Sequence, residues 1–238
     1  MNPVLLLTRN CLELTKKCVE SIRAQDIPTM IHVNDNGSTD GTLDWLNDNV
    51  DFWDAADHNT GVSKGWNEGL RVEFEHPFIS PSDHVLVVNN DTILPRWFYR
   101  TLLSYDAPFV TGVAIDTMPT EEPGRMDLQP HPDFSAFLIR RECWEKVGPF
   151  DEEMVLYAGD TDYHVRAHQL GVPLMKANVP YYHVNSQTMK RASSEDRQWI
   201  QERANLDREV FKRKWRCLPG TPEYNNLFKE AHAQTSAE

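Results

Sequence analysis

The amino-acid sequence predicts an α/β protein, with one domain in which a mostly parallel central sheet carries helices on both faces. Three observations lead to this prediction. Short apolar runs typical of buried strands alternate along the chain with segments of helical periodicity, and this order favours parallel strands joined by helical crossovers. Polar stretches marked by glycine follow several of the apolar runs. With 238 residues, of which 40% are hydrophobic and 25% charged, the chain is large enough for one such core.

The first half of the chain shows this alternation clearly. Leu14, Cys18 and Ile22 repeat at helical spacing after the first apolar run, and Asn10 and Glu13 before them have the spacing of a capping box. Strands are predicted over residues 3–7, 30–33, 52–56 and 85–88, and helices over 11–25, 61–69 and 97–104, with a short helix around Leu43 and Leu46.

The second half continues the pattern after an irregular segment. Residues 117–132 hold five prolines and glycines and predict an exposed loop. Residues 217–238 are expected to form a C-terminal tail. Strands are predicted over residues 109–115, 134–139 and 172–177, and helices over residues 141–147, 160–170 and 193–215.

The chain is strongly acidic, with a formal net charge of −12. An acidic surface repels a phosphate backbone, which argues against broad non-specific binding to duplex nucleic acid. Residues 187–216 are basic, with nine Lys or Arg against five Asp or Glu. A solvated helix of mixed charge explains this stretch, and a basic patch is the alternative.

No apolar run approaches the length of a membrane span, and the first one, residues 4–7, is too short for a secretory signal. We therefore expect a cytoplasmic protein with no stable membrane span. The four cysteines show no close-paired spacing. Cys11 and Cys18 share a helix face, which favours core residues and free thiols over a metal site.

Three polar clusters follow apolar runs, where α/β sheets bind ligands. The first contains Asp35, at the end of the second predicted strand. Its carboxylate can accept a hydrogen bond from the ring N–H of uracil, thymine or guanine. It can equally be an Asx-turn residue that only shapes the loop, and the residue taken alone favours this second role.

The second cluster, residues 89–91, follows four consecutive apolar residues. Hard divalent cations prefer oxygen ligands, and one or two carboxylates plus phosphate oxygens suffice for Mg²⁺ or Mn²⁺. Asp91 can supply the carboxylate and Asn89 a neutral oxygen. Ordinary strand-end turn chemistry is the alternative.

The third cluster places Asp160 and Asp162 at the start of a predicted helix. Two carboxylates there can simply cap the helix and interact with its dipole. In a catalytic role, Asp160 would take a proton from an attacking hydroxyl group.

Several motifs in order along the chain join these clusters. They are residues 33–42 (VNDNGSTDGT), 59–69 (NTGVSKGWNEG), 89–92 (NNDT), 141–152 (RECWEKVGPFDE) and 159–163 (GDTDY), followed by Arg166 and Gly171. Through them the chain resembles the family 2 inverting glycosyltransferases of the GT-A, or nucleotide-diphospho-sugar transferase, fold. The resemblance runs from Val4 to about Arg216. It implies one Rossmann-like GT-A domain over residues 1–216.

The resemblance implies a nucleotide-sugar and metal half over residues 1–116. The residues that would line the nucleoside pocket are Thr8, Arg9 and Asp35. Those that would lie near the ribose or diphosphate are Asn59, Gly61 and Lys64. Two asparagines, Asn89 and Asn90, would complete the donor site.

The resemblance also implies the metal and catalytic residues. Asp91 would hold Mn²⁺ or Mg²⁺ in the position of the family's Asp-x-Asp motif. His183 would contact the metal or the diphosphate, with a structural histidine as the alternative. In the acceptor half, residues 117–216, Asp160 would be the catalytic base and Asp162 would organise the following helix and the acceptor side.

Two positions depart from the family pattern. Asn89 replaces the first acidic residue of Asp-x-Asp, and Gly159 replaces a Glu that often precedes the catalytic Asp. These two residues support an alternative, a degenerate non-catalytic nucleotide- or sugar-binding module. A nucleotidyltransferase of the same fold is a further alternative, but residues 8–12 lack its glycine-rich loop. No Gly-x-Gly-x-x-Gly follows the first strand, which disfavours a dehydrogenase.

The function implied is metal-dependent, inverting transfer of a sugar from a nucleoside-diphosphate donor, with a UDP- or dTDP-sugar favoured, to an acceptor hydroxyl. Fold and donor motifs do not name the acceptor. A glycan, a lipid-linked glycan, a protein and a modified nucleic acid all stay open.

Overall fold

The computed structural model describes residues 1–76, 82–124, 127–129, 132–184 and 194–229, with side chains of the last range described from residue 197. Parts of four predictions lie outside the described residues. They are four positions of the 117–132 loop, the start of the 193–215 helix, part of the basic stretch and residues 230–238 of the tail.

A central eight-stranded sheet dominates the described structure. Its strands are mainly apolar because protein covers both faces. The strands are β1 (Asn2–Thr8), β2 (Thr29–Asp35), β3 (Phe52–Ala55), β4 (His84–Asn89), β5 (Thr92–Ile93), β6 (Phe109–Ile115), β7 (Ala136–Arg140) and β8 (Leu174–His183).

Helices connect most of these strands. The predicted helices all form, with ends shifted by a few residues. They are α1 (Leu12–Arg23), α2 (Thr42–Asn49), α3 (Val62–Glu75), α4 (Phe98–Leu103), α5 (Arg141–Val147), α6 (Gly159–Gln169) and α7 (Ser194–Trp215), and a short α8 (Pro222–Asn226) follows.

The strand order across the sheet is β3-β2-β1-β4-β7-β6-β8-β5. Four of the seven pairings are parallel, which confirms the predicted fold class. The register aligns Thr8 with Asp35 and Leu7 with Asn89, so β1, β2 and β4 end at the same edge. Since β1 lies between β2 and β4, the crevice at this edge is where open α/β sheets bind ligands.

Successive residues of β1 face opposite sides of the sheet, as strand geometry requires. Val4 and Leu6 belong to one apolar cluster, which residues of α1, α2 and α4 complete. Leu5 and Leu7 belong to a second cluster, with residues of α3, α5 and α6. Helices therefore cover both faces of the sheet, as predicted.

Two glycines let α3 lie directly on β1. A Cβ atom on Gly65 would stand 2.5 Å from Leu7 Cδ1, and one on Gly69 would stand 2.3 Å from Leu5 Cδ1. Because residues four apart share a helix face, this close contact fixes how α3 and its N-terminal loop sit above the strand ends.

The capping box predicted for α1 is wrong. The helix begins after Cys11, whose side chain makes no capping hydrogen bond. The Asn10 side chain instead accepts from the Thr39 amide at 2.8 Å, and the Leu12 amide donates to Asp40 Oδ2 at 3.0 Å. The loop after β2 therefore supplies the cap, from a distant part of the chain.

A cluster of ionisable side chains joins β2, β3 and α3, with His32 and Glu73 buried and Asp54 exposed. His32, with a side chain 1% exposed, has Nδ1 3.0 Å from Glu73 Oε1 and Nε2 3.3 Å from Asp54 Oδ2. Burial lowers the pKa of His32, but the hydrogen bonds to Asp54 and Glu73 outweigh burial and raise it. Glu73 Oε2 is buried without a hydrogen-bond partner.

The C-terminal helix α7 packs on the body through a third apolar cluster, in which Met154 and Phe211 are fully buried. Residues 217–229 of the expected tail include α8 and contribute Cys217 and Tyr224 to the same cluster. Among the residues described, no helix combines the length and apolar character needed to cross a bilayer. All four cysteines are free thiols.

Candidate functional site

A cavity of about 240 Å³ lies where β1, β2 and β4 end. Its polar wall comes from the residues that follow these strands and from the loop before α3. Of the predicted donor-binding residues, those that line it are Thr8, Arg9, Asn59, Asn89 and Asn90.

Asn90 ties the end of β4 to the end of β1. Its side-chain nitrogen lies 3.0 Å from Thr8 Oγ1, 3.1 Å from Thr15 Oγ1 and 3.2 Å from the Asn10 carbonyl oxygen. Thr8 is 1% exposed and Asn90 is 7% exposed, so both mainly hold the cavity floor in place. Arg9 lies beside them at the cavity wall.

Asp35 is fully buried at the end of β2. Its carboxylate accepts hydrogen bonds from the Ser38 backbone amide at 2.7 Å and from the Ser38 hydroxyl. Burial raises the pKa of Asp35, while the two Ser38 bonds act in the opposite direction. Because both carboxylate oxygens are engaged within the loop, this arrangement supports the turn-shaping role more than contact with a base.

Asn36, the next residue, reaches the cavity, and the sequence analysis missed it. Its Nδ2 donates to Asn59 Oδ1 and to the Gly61 carbonyl oxygen, both at 3.0 Å, and its Oδ1 accepts from the Thr60 amide at 2.7 Å. One buried amide therefore fixes the loop before α3. The sequence contained a signal for this position, because Asn36 directly follows Asp35 at the end of β2.

Two predicted donor-site residues, Gly61 and Lys64, lie outside the lining of the 240 Å³ cavity. Gly61 lies against the loop before α6, and a Cβ atom there would stand 2.4 Å from the Val155 carbonyl oxygen. Lys64 does not line the 240 Å³ cavity. It lines a second cavity of about 420 Å³ beside β2 and β3, and its Nζ lies 3.6 Å from Glu68 Oε1.

Asp91 and His183, which are 92 positions apart, meet at the cavity. β5 pairs with β8 so that Thr92 stands opposite His183. This brings His183 Nε2 to 3.2 Å from Asp91 Oδ2, with the two side chains 19% and 14% exposed. The hydrogen bond to Asp91 raises the pKa of His183, and burial opposes the shift.

This pair fits a divalent cation. Adjacent ligands of an octahedral ion at about 2.1 Å lie about 3 Å apart, close to the observed oxygen–nitrogen distance. No group of three or more His, Cys, Asp or Glu side chains in the described part of the chain forms a complete metal cage. Mg²⁺ and Mn²⁺ are commonly held by few protein ligands plus substrate phosphates, and this site has that form.

Asp160 is the second residue of α6 and is exposed. Its Oδ1 accepts from the Thr161 amide at 2.7 Å. Desolvation by surrounding protein raises the pKa of its carboxyl group, the charge of Asp133 acts in the same direction, and the Thr161 bonds oppose both. A carboxylate with a raised pKa is a better proton acceptor than an ordinary Asp.

Asp133 is a second carboxylate of this region that the sequence analysis missed. It precedes β7, and its Oδ1 accepts from the Ser135 amide at 2.9 Å and the Tyr181 hydroxyl at 3.3 Å. Its charge contributes to the raised pKa of both Asp160 and His183. A lone Asp after a proline-rich loop gave no signal of this position.

Asp162 is fully buried and anchors helices rather than lining the cavity. Its Oδ2 accepts from Arg166 Nε at 2.8 Å, and its Oδ1 accepts from Trp215 Nε1 at 2.9 Å and from Lys214 Nζ at 2.8 Å. The structure thus places Asp162 where it joins α6 to the end of α7.

An apolar wall closes the other side of the cavity. Leu156 contributes from the loop before α6, Val62 from the first position of α3, and Trp199 and Ile200 from α7. The Arg203 guanidinium lies 5.9 Å from the Trp199 ring centre. The sequence analysis did not connect α7 with this site.

Comparisons with known proteins bear on the fold. No model of a known protein family matches the chain. The uncharacterized proteins Rv1525 of Mycobacterium tuberculosis H37Rv and Mb1552 of Mycobacterium bovis are each 27% identical to it over 141 residues, 51% of this chain and 54% of theirs. The chain thus spans about half the length of the curated relatives it matches.

Solved glycosyltransferases share the architecture. Mannosyltransferase PcManGT of Pyrobaculum calidifontis, in complex with GDP-Man and Mn²⁺, aligns with 97% of this chain and 68% of its own at a TM-score of 0.63 and 17% identity. S. aureus TarS 1–349, in complex with UDP, aligns with 78% of this chain and 58% of its own at a TM-score of 0.55 and 15% identity. The fold is GT-A.

A third solved structure agrees. Glucosyl-3-phosphoglycerate synthase of Mycobacterium tuberculosis, in complex with Mn²⁺, UDP and glucosyl-3-phosphoglycerate, aligns with 80% of this chain and 74% of its own at a TM-score of 0.56 and 14% identity. These similarities establish only the architecture of the chain, so a proposal for its activity rests on the residues of its own site.

Proposed function

We propose that this protein is a metal-dependent, inverting glycosyltransferase that moves a sugar from a nucleoside-diphosphate donor to an acceptor hydroxyl. The meeting of Asp91 and His183, 3.2 Å apart, beside the strand-end cavity carries the proposal. Those two residues would hold Mn²⁺ or Mg²⁺ where the diphosphate of a donor in the cavity can complete the coordination.

The cavity supports a nucleotide ligand. Polar groups from β1, β2 and β4 face apolar groups from α7, which suits a nucleoside that carries a charged diphosphate. The related solved structures hold UDP or GDP-Man. We favour a UDP- or dTDP-sugar as the donor here.

The reaction we infer is a single displacement. The bond from the anomeric carbon to the diphosphate oxygen breaks as the acceptor oxygen bonds the opposite face of that carbon, and the hydroxyl proton passes to Asp160. Asp91 and His183 would hold a divalent cation, which would stabilise the negative charge of the departing diphosphate. Asp160 is suited to accept the proton because desolvation raises the pKa of its carboxyl group and the residue is exposed.

The experiment is a thermal-shift screen of UDP-, dTDP- and GDP-sugars, each with and without Mn²⁺. A true donor stabilises the protein in proportion to the logarithm of its concentration over its dissociation constant, about 2.7 kcal/mol at a hundredfold excess. The donor that stabilises most is then assayed for slow hydrolysis. Binding without any turnover supports the non-catalytic alternative, and no Mn²⁺-dependent stabilisation by any nucleotide contradicts the proposal.

A further inference from the structure

Asp207, in the middle of α7, is fully buried and carries a carboxylate. Its Oδ1 accepts from the Val155 amide at 2.9 Å, and its Oδ2 accepts from the Leu156 and Tyr157 amides, both at 2.8 Å. A buried charge is costly unless hydrogen bonds compensate it, and three amides in succession do so. The three donors belong to the loop that leads into α6.

The same loop is tied to the start of α3. The Val155 carbonyl oxygen accepts from the Val62 amide at 2.6 Å, and the Ser63 hydroxyl donates to the Met154 carbonyl oxygen at 2.6 Å. The loop therefore lies between α7, whose Asp207 accepts hydrogen bonds from its amides, and the start of α3, which donates hydrogen bonds to its carbonyl oxygens.

The held amides end just before the proposed base. Tyr157 is followed by Ala158, which adopts a left-handed conformation with φ of 62°, and α6 then begins with Asp160 as its second residue. Residues with a Cβ rarely adopt this conformation without support from their surroundings. Leu156 of the same loop lines the cavity.

We propose that Asp207 is a positioning residue, which holds residues 155–157 and thereby sets the position of Asp160 relative to the donor cavity. The catalytic part of this inference rests on the proposed function. Asp207 itself does not line the cavity, and its carboxylate bonds the amides of the loop, so we place its effect on the reaction in that loop.

The direct test is amide hydrogen exchange in Asp207→Asn. Asn keeps the shape but turns an NH₂ group toward amide donors, so at least one of the three hydrogen bonds is lost. We expect faster exchange at residues 155–157. Glu153→Gln is the matched control, because it removes the ion pair between Glu153 and Arg213 of α7 without touching these amides.

The second readout is turnover, with hydrolysis of UDP-glucose or GDP-mannose in Mn²⁺ as the probe. We expect kcat in Asp207→Asn to fall about 10²-fold, as a displacement near 1 Å can cause. The donor dissociation constant should stay within about threefold. If Asp207→Asn does not fold, Asp207→Ser replaces it, because the smaller side chain leaves room for a bridging water.

The outcomes separate the two proposals. Unchanged exchange at residues 155–157 overturns the positioning role of Asp207 and leaves the proposed function untouched. A wild-type kcat in a variant whose loop exchanges faster has the same consequence. A wild-type protein that neither binds nor hydrolyses any sugar nucleotide overturns the proposed function, and the exchange data still decide whether Asp207 holds the loop.

Discussion

At the scale of single residues, the Asp91–His183 pair bears on the missing first acid of Asp-x-Asp. Asn89 lines the cavity and offers only a neutral oxygen. In the site we propose, His183 would add a nitrogen ligand from the opposite half of the chain, since its Nε2 lies 3.2 Å from the Asp91 carboxylate. Imidazole is a better ligand for later transition metals than for Mg²⁺, so we expect Mn²⁺ to bind more tightly than Mg²⁺.

Replacing Asp91 with Ala should abolish the effect of Mn²⁺ on UDP binding and leave the fold intact. The Mn²⁺ affinity should fall at least roughly 10- to 100-fold, which is the loss caused by removing a residue that only hydrogen-bonds to a metal ligand. Calorimetry with UDP, with and without Mn²⁺, measures it. Asp48→Ala, an exposed carboxylate of α2, is the control. A retained Mn²⁺ effect in Asp91→Ala shows that the metal lies elsewhere.

Asp160→Asn should bind the donor nearly normally and lose most turnover, by about 10²–10⁴-fold. Asn caps a helix about as well as Asp, so a mere cap would make the change nearly silent. In the wild type the base must be ionised. Because the pKa of Asp160 is raised, kcat should fall as the pH drops through a value above that of an ordinary Asp.

Asp133→Asn is the comparison for this prediction. Asp133 carries the carboxylate whose charge raises the pKa of Asp160, so its removal should lower that pKa and move the acid limb of the profile to lower pH. Turnover, measured at saturating donor and Mn²⁺, should survive. If turnover is lost in Asp133→Asn and kept in Asp160→Asn, the base is Asp133.

The sequence predicted residues at strand ends better than it predicted what they contact. Thr8 and Asn89 line the cavity because the ends of β1 and β4 meet at one edge of the sheet. Asp35 bonds Ser38, three residues on, which fits the turn-shaping role that its sequence context favoured. Asn36 bonds the loop before α3, more than twenty residues away, and no local pattern predicts that contact.

At the scale of elements, α7 shows what periodicity cannot reveal. Its sequence is largely polar, which predicts a solvated helix. In the structure Trp199 and Ile200 line the cavity, Asp207 in the middle of the helix holds the loop before α6, and Trp215 at its end donates a hydrogen bond to Asp162. All these contacts join distant residues, so they follow from the assembled fold and not from the helix itself.

Trp199→Ala should weaken UDP binding about tenfold, or about 1.4 kcal/mol, because an aromatic wall of the cavity is lost. Trp199→Phe should retain most of the affinity. Leu206→Ala, at a residue of α7 that is 52% exposed, is the control and should bind UDP normally. Equal affinity of Trp199→Ala and the wild type in calorimetry shows that the donor does not reach this wall.

At the scale of the whole molecule, the fold was predictable because its signals are local. Alternation of Val4 to Leu7 between two apolar clusters follows from strand geometry alone. The antiparallel strands β7 and β5 carry no comparable signal of their partners. The cluster of His32, Asp54 and Glu73 was also missed, since its three members lie far apart in sequence and meet only after β2, β3 and α3 assemble.

That cluster should make global stability depend on pH. The folded pKa of His32 lies above its unfolded value, so the stabilisation is complete below the unfolded pKa and is lost as the pH rises through the folded one. Each pH unit between the two values contributes about 1.4 kcal/mol. His32→Asn supplies a neutral donor at every pH. Urea unfolding should therefore show wild type and variant furthest apart below about pH 6.5, the ordinary value of a histidine, and converging as the pH rises through the folded pKa. A difference in unfolding free energy that stays constant or grows with pH means that His32 is neutral in the folded protein.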